Sequence, residues 1–209
     1  MVSAEWYFDF ISPFAYLQFE SFGRLPAKLE IACKPIVFAG VLNHLQHKGP
    51  AEIPSKRRFT YRHVQWLARR HGIAFRFPPA HPFNPLSALR LAVALGSRRD
   101  VIASIFRFIW REGRSLDDDA GWRDLTASLG VADADRLVSA QPVKDELRAN
   151  GERANSLGVF GVPTFAIGGE LFWGFDATDM VADYVNDPAS FNSAEMARIG
   201  ELPAAARRN

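Results

Sequence analysis

Cysteine is almost absent from the sequence. The single thiol, Cys33, excludes an intramolecular disulfide and any metal centre built on several cysteines. One free cysteine fits a reducing compartment, so a cytoplasmic location is expected. Histidine is also scarce, with five in 209 residues. No HExxH pattern occurs, and the closest pair, His44 and His47, falls in an expected loop, so no metal site is expected. Neither sign of charge prevails: 25 Lys and Arg face 23 Asp and Glu, a formal net charge of +2. That balance argues against a dedicated nucleic-acid partner. No apolar run reaches the roughly 18 residues of a membrane span. The opening residues Met1 to Phe10 lack the basic start and long apolar stretch of a signal peptide, so no leader is expected. GxGxxG, Walker and GxSxG patterns are missing, which removes the common nucleotide-binding and hydrolase signatures.

What is present describes a globular chain. Hydrophobic residues make up 48% and charged residues 23%, close to ordinary averages, so the chain is not globally disordered and can bury a core. At ~150 residues per domain, the length allows one large domain or two small ones. Glu5–Ile11 is short and aromatic and reads as a central strand. Ser12-Pro13 opens a helix that runs to about Phe22. Leu29–Phe38 reads as a second strand, with Pro35 marking an edge or an irregularity. Strand, helix, strand at this spacing predicts a parallel βαβ unit.

From about Pro54 to Leu157 the pattern turns helical. Helices are expected at 55–71, 85–95, 100–111, 122–129, 133–140 and 142–157. In the first of these, Phe59, His63, Trp66 and Leu67 share one face, and His63 reads as a core histidine. Strands then return. Val162–Ile167, Gly168-Gly169 and Glu170–Trp173 predict a β-hairpin. A helix follows over 176–185, and an Ala-, Ser- and Arg-rich surface tail over 189–209. The expected class is therefore α/β, with a helical insertion splitting a small sheet domain.

Four features could carry chemistry. Ser12 sits where a strand meets a helix N-terminus, so it caps the helix or receives an anion such as a thiolate. Val162-Pro163 precedes the hairpin and is a candidate cis bond, with an ordinary strand-opening proline as the alternative. Asp176 precedes the last helix, as a cap or as an acceptor for a ligand ammonium. Lys56, Arg57, Arg58, Arg62, Arg69 and Arg70 form a basic run, either a solvated face or an anion-facing wall. His81, beside Pro82-Phe83-Asn84-Pro85, is a candidate pocket residue.

Together these pieces are more specific than any alone. The chain resembles the 2-hydroxychromene-2-carboxylate isomerase family, relatives of kappa-class glutathione transferases and of the disulfide oxidoreductase DsbA. The resemblance spans about Glu5 to Tyr184. It is carried by Phe8-Asp-Phe-Ile-Ser-Pro-Phe-Ala-Tyr16, by Gly49-Pro-Ala-Glu-Ile-Pro-Ser-Lys56, by Phe160-Gly-Val-Pro-Thr-Phe165 and by Phe172-Trp-Gly-Phe-Asp176. It implies a thioredoxin-like, glutathione-binding domain formed by residues 1–40 and 158–188, around an all-helical insertion at 41–157. Redox relatives carry Cys-x-x-Cys where this chain has Ser12-Pro-Phe-Ala15, so thiol–disulfide exchange is excluded and the thiol must arrive as glutathione.

The resemblance implies that Ser12 partners the glutathione sulfur, with Phe14 beside it. Val162 and a cis Pro163 would pair with the cysteinyl unit, and Phe175 and Asp176 would hold the γ-glutamyl end. Lys56 falls on the glutathione side, with His47, His81, Asn84 and Trp173 toward the substrate; Phe14 and Phe83 are further candidates to flank its ring. Two departures stand out. Ala177 replaces the Arg that many relatives place after the Asp, and His47 stands where many have Asn. The implied reaction is thiolate addition to a small aromatic carboxylate, ring opening, rotation and expulsion of glutathione, giving the trans-benzylidenepyruvate. The implied assembly is a homodimer. The competing expectations are a kappa-like transferase acting on another electrophile and a non-catalytic protein that binds glutathione or peptides.

Overall fold

A computed structural model of the chain describes residues 1–203. The last six residues of the expected tail lie outside the described residues. Four strands, β1 (Val2–Phe8), β2 (Leu29–Pro35), β3 (Thr164–Ile167) and β4 (Glu170–Trp173), form one sheet in the order β2-β1-β3-β4. β1 and β2 are parallel, with Trp6 opposite Cys33, as a βαβ unit requires. β3 runs antiparallel to both β1 and β4. The Gly168-Gly169 turn has φ of 60° and 95°, the left-handed geometry that a two-residue hairpin demands. β2 ends at Pro35 rather than Phe38, and it is an edge strand, where a missing ladder N–H is tolerated.

At the end of β1 both faces are covered, which explains the three consecutive buried aromatics Trp6, Tyr7 and Phe8. Trp6 and Phe8 lie in the larger core, while Tyr7 packs on the other face with Ile36, Val41, Ala154 and Val159. The helices are α1 (Pro13–Glu20), α2 (Phe38–His44), α3 (Pro54–Arg70), α4 (Leu86–Ala94), α5 (Arg99–Phe106), α6 (Asp119–Ser128), α7 (Ala134–Ser139), α8 (Gln141–Ser156), α9 (Thr178–Asn186) and α10 (Ala194–Gly200). Seven of them, α2 to α8, fall between β2 and β3. Phe106 of α5 lies 6.3 Å or less, ring to ring, from Trp6, Phe8, Phe10, Tyr16 and Phe19. The inserted helices and the sheet therefore share one core.

Several expectations need correction. α2 occupies the stretch expected as the end of β2 and the start of a loop. The 100–111 helix is α-helical only to Phe106 and then widens into a π-turn over Arg107–Arg111. α3 is rotated from the expected face: Val64 and Ala68 are its buried residues, while Phe59 and Trp66 are 67% and 53% exposed. His63 is a half-buried member of that outer stripe, stacked on Trp66, and not a core residue. The stripe at i, i+4, i+7 lies beside the narrower inward stripe of Val64 and Ala68, where the small alanine suits close helix approach. The described part of the tail is exposed, Phe191 alone being half-buried. Phe191 packs on Tyr184 and Phe172, and Ser193 caps α10 through Met196 N–H. No helix among the described residues is long and apolar enough to cross a membrane.

Candidate active site

Ser12 follows β1 and precedes α1, so the N-terminus of α1 opens at the C-terminal edge of the sheet. Its Oγ accepts the Ala15 N–H at 3.2 Å, the capping contact that the Ser-Pro start favours. The same hydroxyl lies 3.4 Å from the Val162 carbonyl. That is the long limit of a hydrogen bond, so the hydroxyl proton can turn to a closer acceptor. Val162-Pro163 is cis. Ser12, Val162 and Pro163 are thus brought together from opposite ends of the chain.

A ring of hydrogen bonds fixes the rest of this edge. Pro163 O accepts the Gly174 N–H at 2.9 Å. Gly174 O accepts from Gln18 Nε2 at 2.8 Å, and Gln18 Oε1 accepts from Trp6 Nε1 at 2.7 Å. Gln18 is fully buried on α1, so α1, the Pro163 loop and the turn before α9 form one hydrogen-bonded unit. Gly174 has φ of 96°, and a Cβ there would lie 2.4 Å from Asp176 Oδ1. Only glycine fits this turn. Phe175 is buried against His71 with ring centroids 5.0 Å apart. Asp176 is exposed and does not cap α9, whose cap residue is Ala177. Among the described residues its carboxylate makes no hydrogen bond or ion pair, which leaves it open to a cation.

Beneath Ser12 the segment Asp9–Ile11 is held at the Asp9 carboxylate, the Ile11 N–H and all three carbonyls. Asp9 is buried, and its carboxylate accepts from Ile11 N–H at 3.0 Å and Phe38 N–H at 2.8 Å. Burial pushes its pKa up to about 7, against the pull of these backbone donors. Trp110 Nε1 donates to Phe10 O, and His81 Nε2 meets Ile11 O, each at 2.8 Å. Burial also pushes the Cys33 thiol up to about 11, so it stays protonated inside β2.

The remaining candidates are dispersed. Trp173 is 53% exposed and meets Phe160 edge-on at 5.1 Å. Its indole covers Gly161, where a Cβ would come within 2.3 Å of Nε1. Phe14 meets His63 of α3 at 6.0 Å. That contact links the Ser12 motif to a groove of about 450 Å³ on α3, lined by Ser55, Arg58, Phe59, Arg62, His63 and Trp66. Lys56 is exposed on the first turn of α3, and His47 is exposed in the α2–α3 connection; neither makes a hydrogen bond to the Ser12 loop among the described residues. Asn84 spends its side-chain oxygen on Leu86 N–H at the start of α4. Both ring nitrogens of His81 are engaged within the protein, and Phe83 is buried behind it against Trp110. Asn84 is exposed and keeps its amide NH2 free among the described residues, whereas the His81 ring and Phe83 face the protein interior. Sequence reading missed Asp9, Gln18 and Gly174. The signals were there: an acid between Phe8 and Phe10, and one amide on an otherwise apolar helix face. No group of three or more potential metal ligands occurs among the described residues.

Comparison with known proteins gives consistent relatives. The DSBA-like thioredoxin domain model matches residues 4–186. A kappa 2 glutathione S-transferase of Caenorhabditis elegans is 30% identical over 206 residues, covering 88% of this chain and 92% of the relative. A 2-hydroxychromene-2-carboxylate isomerase of Sphingobium xenophagum is 26% identical, covering 88% and 97% respectively. A solved structure of a 2-hydroxychromene-2-carboxylate isomerase superposes with a TM-score of 0.77 at 22% identity, covering 91% of this chain and 97% of that one.

Proposed function

The chain belongs to the DSBA-like thioredoxin domain family, and from that premise we propose that it is a glutathione-dependent isomerase of 2-hydroxychromene-2-carboxylate or a close aromatic analogue. The observation that carries this reading is Ser12. It occupies the helix-start position facing the Val162-Pro163 loop, with no thiol of its own at either end of Ser12-Pro-Phe-Ala15. A site of that shape lacks the chain's own redox chemistry and suits a thiolate brought by a ligand.

The residues present fit glutathione. Ser12 Oγ and the Phe14 N–H, the one donor in the first turn of α1 without a partner among the described residues, favour its sulfur as the anion. The Val162 backbone borders the cysteinyl position, and the unpaired Asp176 carboxylate suits the γ-glutamyl ammonium beside Phe175. When bound, glutathione would supply a nucleophilic thiolate for addition, cleavage of the ring C–O bond, rotation and elimination; the thiolate would be regenerated, so no net redox change would occur. Ser12 would donate its hydroxyl to the sulfur before addition and at expulsion, stabilising the thiolate both as nucleophile and as leaving group at the N-terminus of α1. Phe160 and Trp173 offer an exposed aromatic face to a planar substrate, with the α3 cations available to its carboxylate. The reading extends to a cytoplasmic homodimer.

The experiment is a pair of measurements on the wild-type chain: calorimetric titration of glutathione, and a spectrophotometric assay of hydroxychromene carboxylate isomerisation with and without glutathione. Turnover that needs glutathione is the expected result. The 30% identity to the nematode enzyme favours a second reading, a kappa-type transferase. Glutathione conjugation of a generic electrophilic arene without isomerisation would select it. Binding without turnover of either substrate would leave a non-catalytic glutathione-binding protein.

A further inference from the structure

His81 lies beyond α3, on the stretch of chain before α4, boxed by Tyr61, Phe77, Phe83 and Trp110. Its Nε2 is 2.8 Å from Ile11 O, the carbonyl of the peptide bond that leads into Ser12. Its Nδ1 is 2.7 Å from the Tyr61 hydroxyl, which also lies 2.7 Å from His81 O. We propose that His81 is a positioning residue for Ser12: its Nε2–H, required by the Ile11 carbonyl, fixes the plane of the Ile11–Ser12 peptide, and the Tyr61 hydroxyl satisfies Nδ1 in either charge state. The role in turnover rests on the glutathione reading above; the role in placing Ser12 does not.

Proton counting carries the argument. A carbonyl oxygen only accepts, so Nε2 must hold the proton. In the neutral ring Nδ1 is then a bare acceptor, and Tyr61 O–H points at it. In the cation both nitrogens donate, and the Tyr61 proton turns to His81 O. The bond to Ile11 survives in both charge states, because the Tyr61 hydroxyl absorbs the change. Burial and the neighbouring Arg57 of α3 hold the ring below the ordinary histidine pKa, opposed by the Ile11 carbonyl, so the neutral ring prevails at pH 7. Tyr61 is the other titratable group at the ring, and burial raises its own pKa. Fixing Ile11 O toward His81 turns the Ser12 N–H the opposite way, where Asp9 O accepts it at 3.0 Å. The direction of the Ser12 side chain follows from that plane. Trp110 anchors the preceding carbonyl in the same manner, so two consecutive peptides are held from the inserted helices.

The test separates a donor from a filler of space. Nitrogen-15 spectra of histidine-labelled protein without ligand should show, at pH 8, a neutral Nε2–H ring that is missing from His81→Leu. A neutral Nδ1–H ring would overturn the proposal. His81→Gln retains an amide donor and His81→Leu only bulk, so amide exchange at Ser12 should quicken about tenfold in the leucine variant and stay within about twofold in the glutamine variant. In turnover, kcat should fall about tenfold in His81→Leu, with the glutathione KM little changed, and recover in His81→Gln. Equal exchange in both variants would show that the ring merely packs. Should His81→Leu not fold, the wild-type tautomer and the His81→Gln variant decide: a neutral Nδ1–H ring, or Ser12 exchange quickened about tenfold despite the amide donor, would overturn the proposal. A wild-type protein that ignores glutathione ends the functional reading, while the tautomer and exchange results still decide the role of His81.

Discussion

Asp9 and Phe38 are 29 residues apart, and a buried oxygen of the Asp9 carboxylate accepts the Phe38 N–H at 2.8 Å. α2 has no side-chain cap from its own cap residue, Val37, so Asp9 caps it from across the sheet. The other Asp9 oxygen holds Ile11 N–H, one residue before Ser12. One acid therefore joins the Ser12 loop to α2.

That acid should make stability depend on pH. Its native pKa, raised to about 7 by burial, exceeds the ordinary value of 3.8. Between these values the native state binds a proton that the unfolded chain has lost, so its contribution is full below about pH 4 and falls as pH rises through 7. Urea denaturation of wild type and Asp9→Asn from pH 4 to 8.5 isolates it. The stability of Asp9→Asn relative to wild type should improve as pH rises. A constant difference across the range would mean that Asp9 ionises normally.

Ser12→Ala should damage turnover far more than folding. Losing the cap costs about 1 kcal/mol, which a domain of this size tolerates. Losing a hydrogen bond to a charged sulfur, roughly 1.5–3 kcal/mol, should slow glutathione-dependent turnover by about one to two orders of magnitude. The bound thiol should also titrate higher in the variant, seen as thiolate absorbance in the ultraviolet. A folded variant with normal turnover would reduce Ser12 to a cap.

Gln18→Leu should be costly for a different reason. It strips the buried Trp6 Nε1 of its acceptor and the half-buried Gly174 O of its closest donor. Gly174 O keeps the Ala177 N–H at 3.3 Å, so one orphaned interior donor at about 1–3 kcal/mol sets the expected loss in chemical denaturation. A loss under about 1 kcal/mol would show that the ring of bonds around the Pro163 loop is dispensable.

Much of this architecture is legible locally. The apolar run of β1, the Ser-Pro start of α1 and the Gly168-Gly169 turn each declare their geometry in a few residues. α2 does not, because Phe38-Ala-Gly-Val-Leu-Asn-His44 lacks a local cap and is held by an acid in β1's exit. The orientation of α3 was illegible because its aromatic stripe outweighs Val64 and Ala68 in apolar content while facing outward. At the site, Ser12, Val162-Pro163 and Asp176 come from short motifs. Gln18 and His81 become meaningful only once the fold sets them against Gly174 and Ile11. Hydrogen bonds between distant segments leave no periodic trace in a sequence.

Asp176→Ala should weaken glutathione binding with little effect on kcat. The carboxylate is exposed, does not cap α9 and has no protein partner among the described residues, so removing it should leave the melting temperature within about two degrees. Ala177 places no cation beside it, so the charge is free for a ligand ammonium. Such a contact lies away from the reacting sulfur and serves ground and transition states alike, which puts the loss in KM. A hydrogen bond to a charged group is worth about 1.5–3 kcal/mol, but solvent screens an exposed one, so the lower end, roughly tenfold in Kd, is expected. Gly174→Ala is the geometric counterpart. Its φ of 96° and the 2.4 Å approach of a Cβ to Asp176 Oδ1 force the turn to move while the acid remains. Calorimetric titration of glutathione into wild type and both variants should show weaker binding in each. Unchanged affinity in a folded Asp176→Ala protein would take the acid out of the site, and with it the γ-glutamyl assignment.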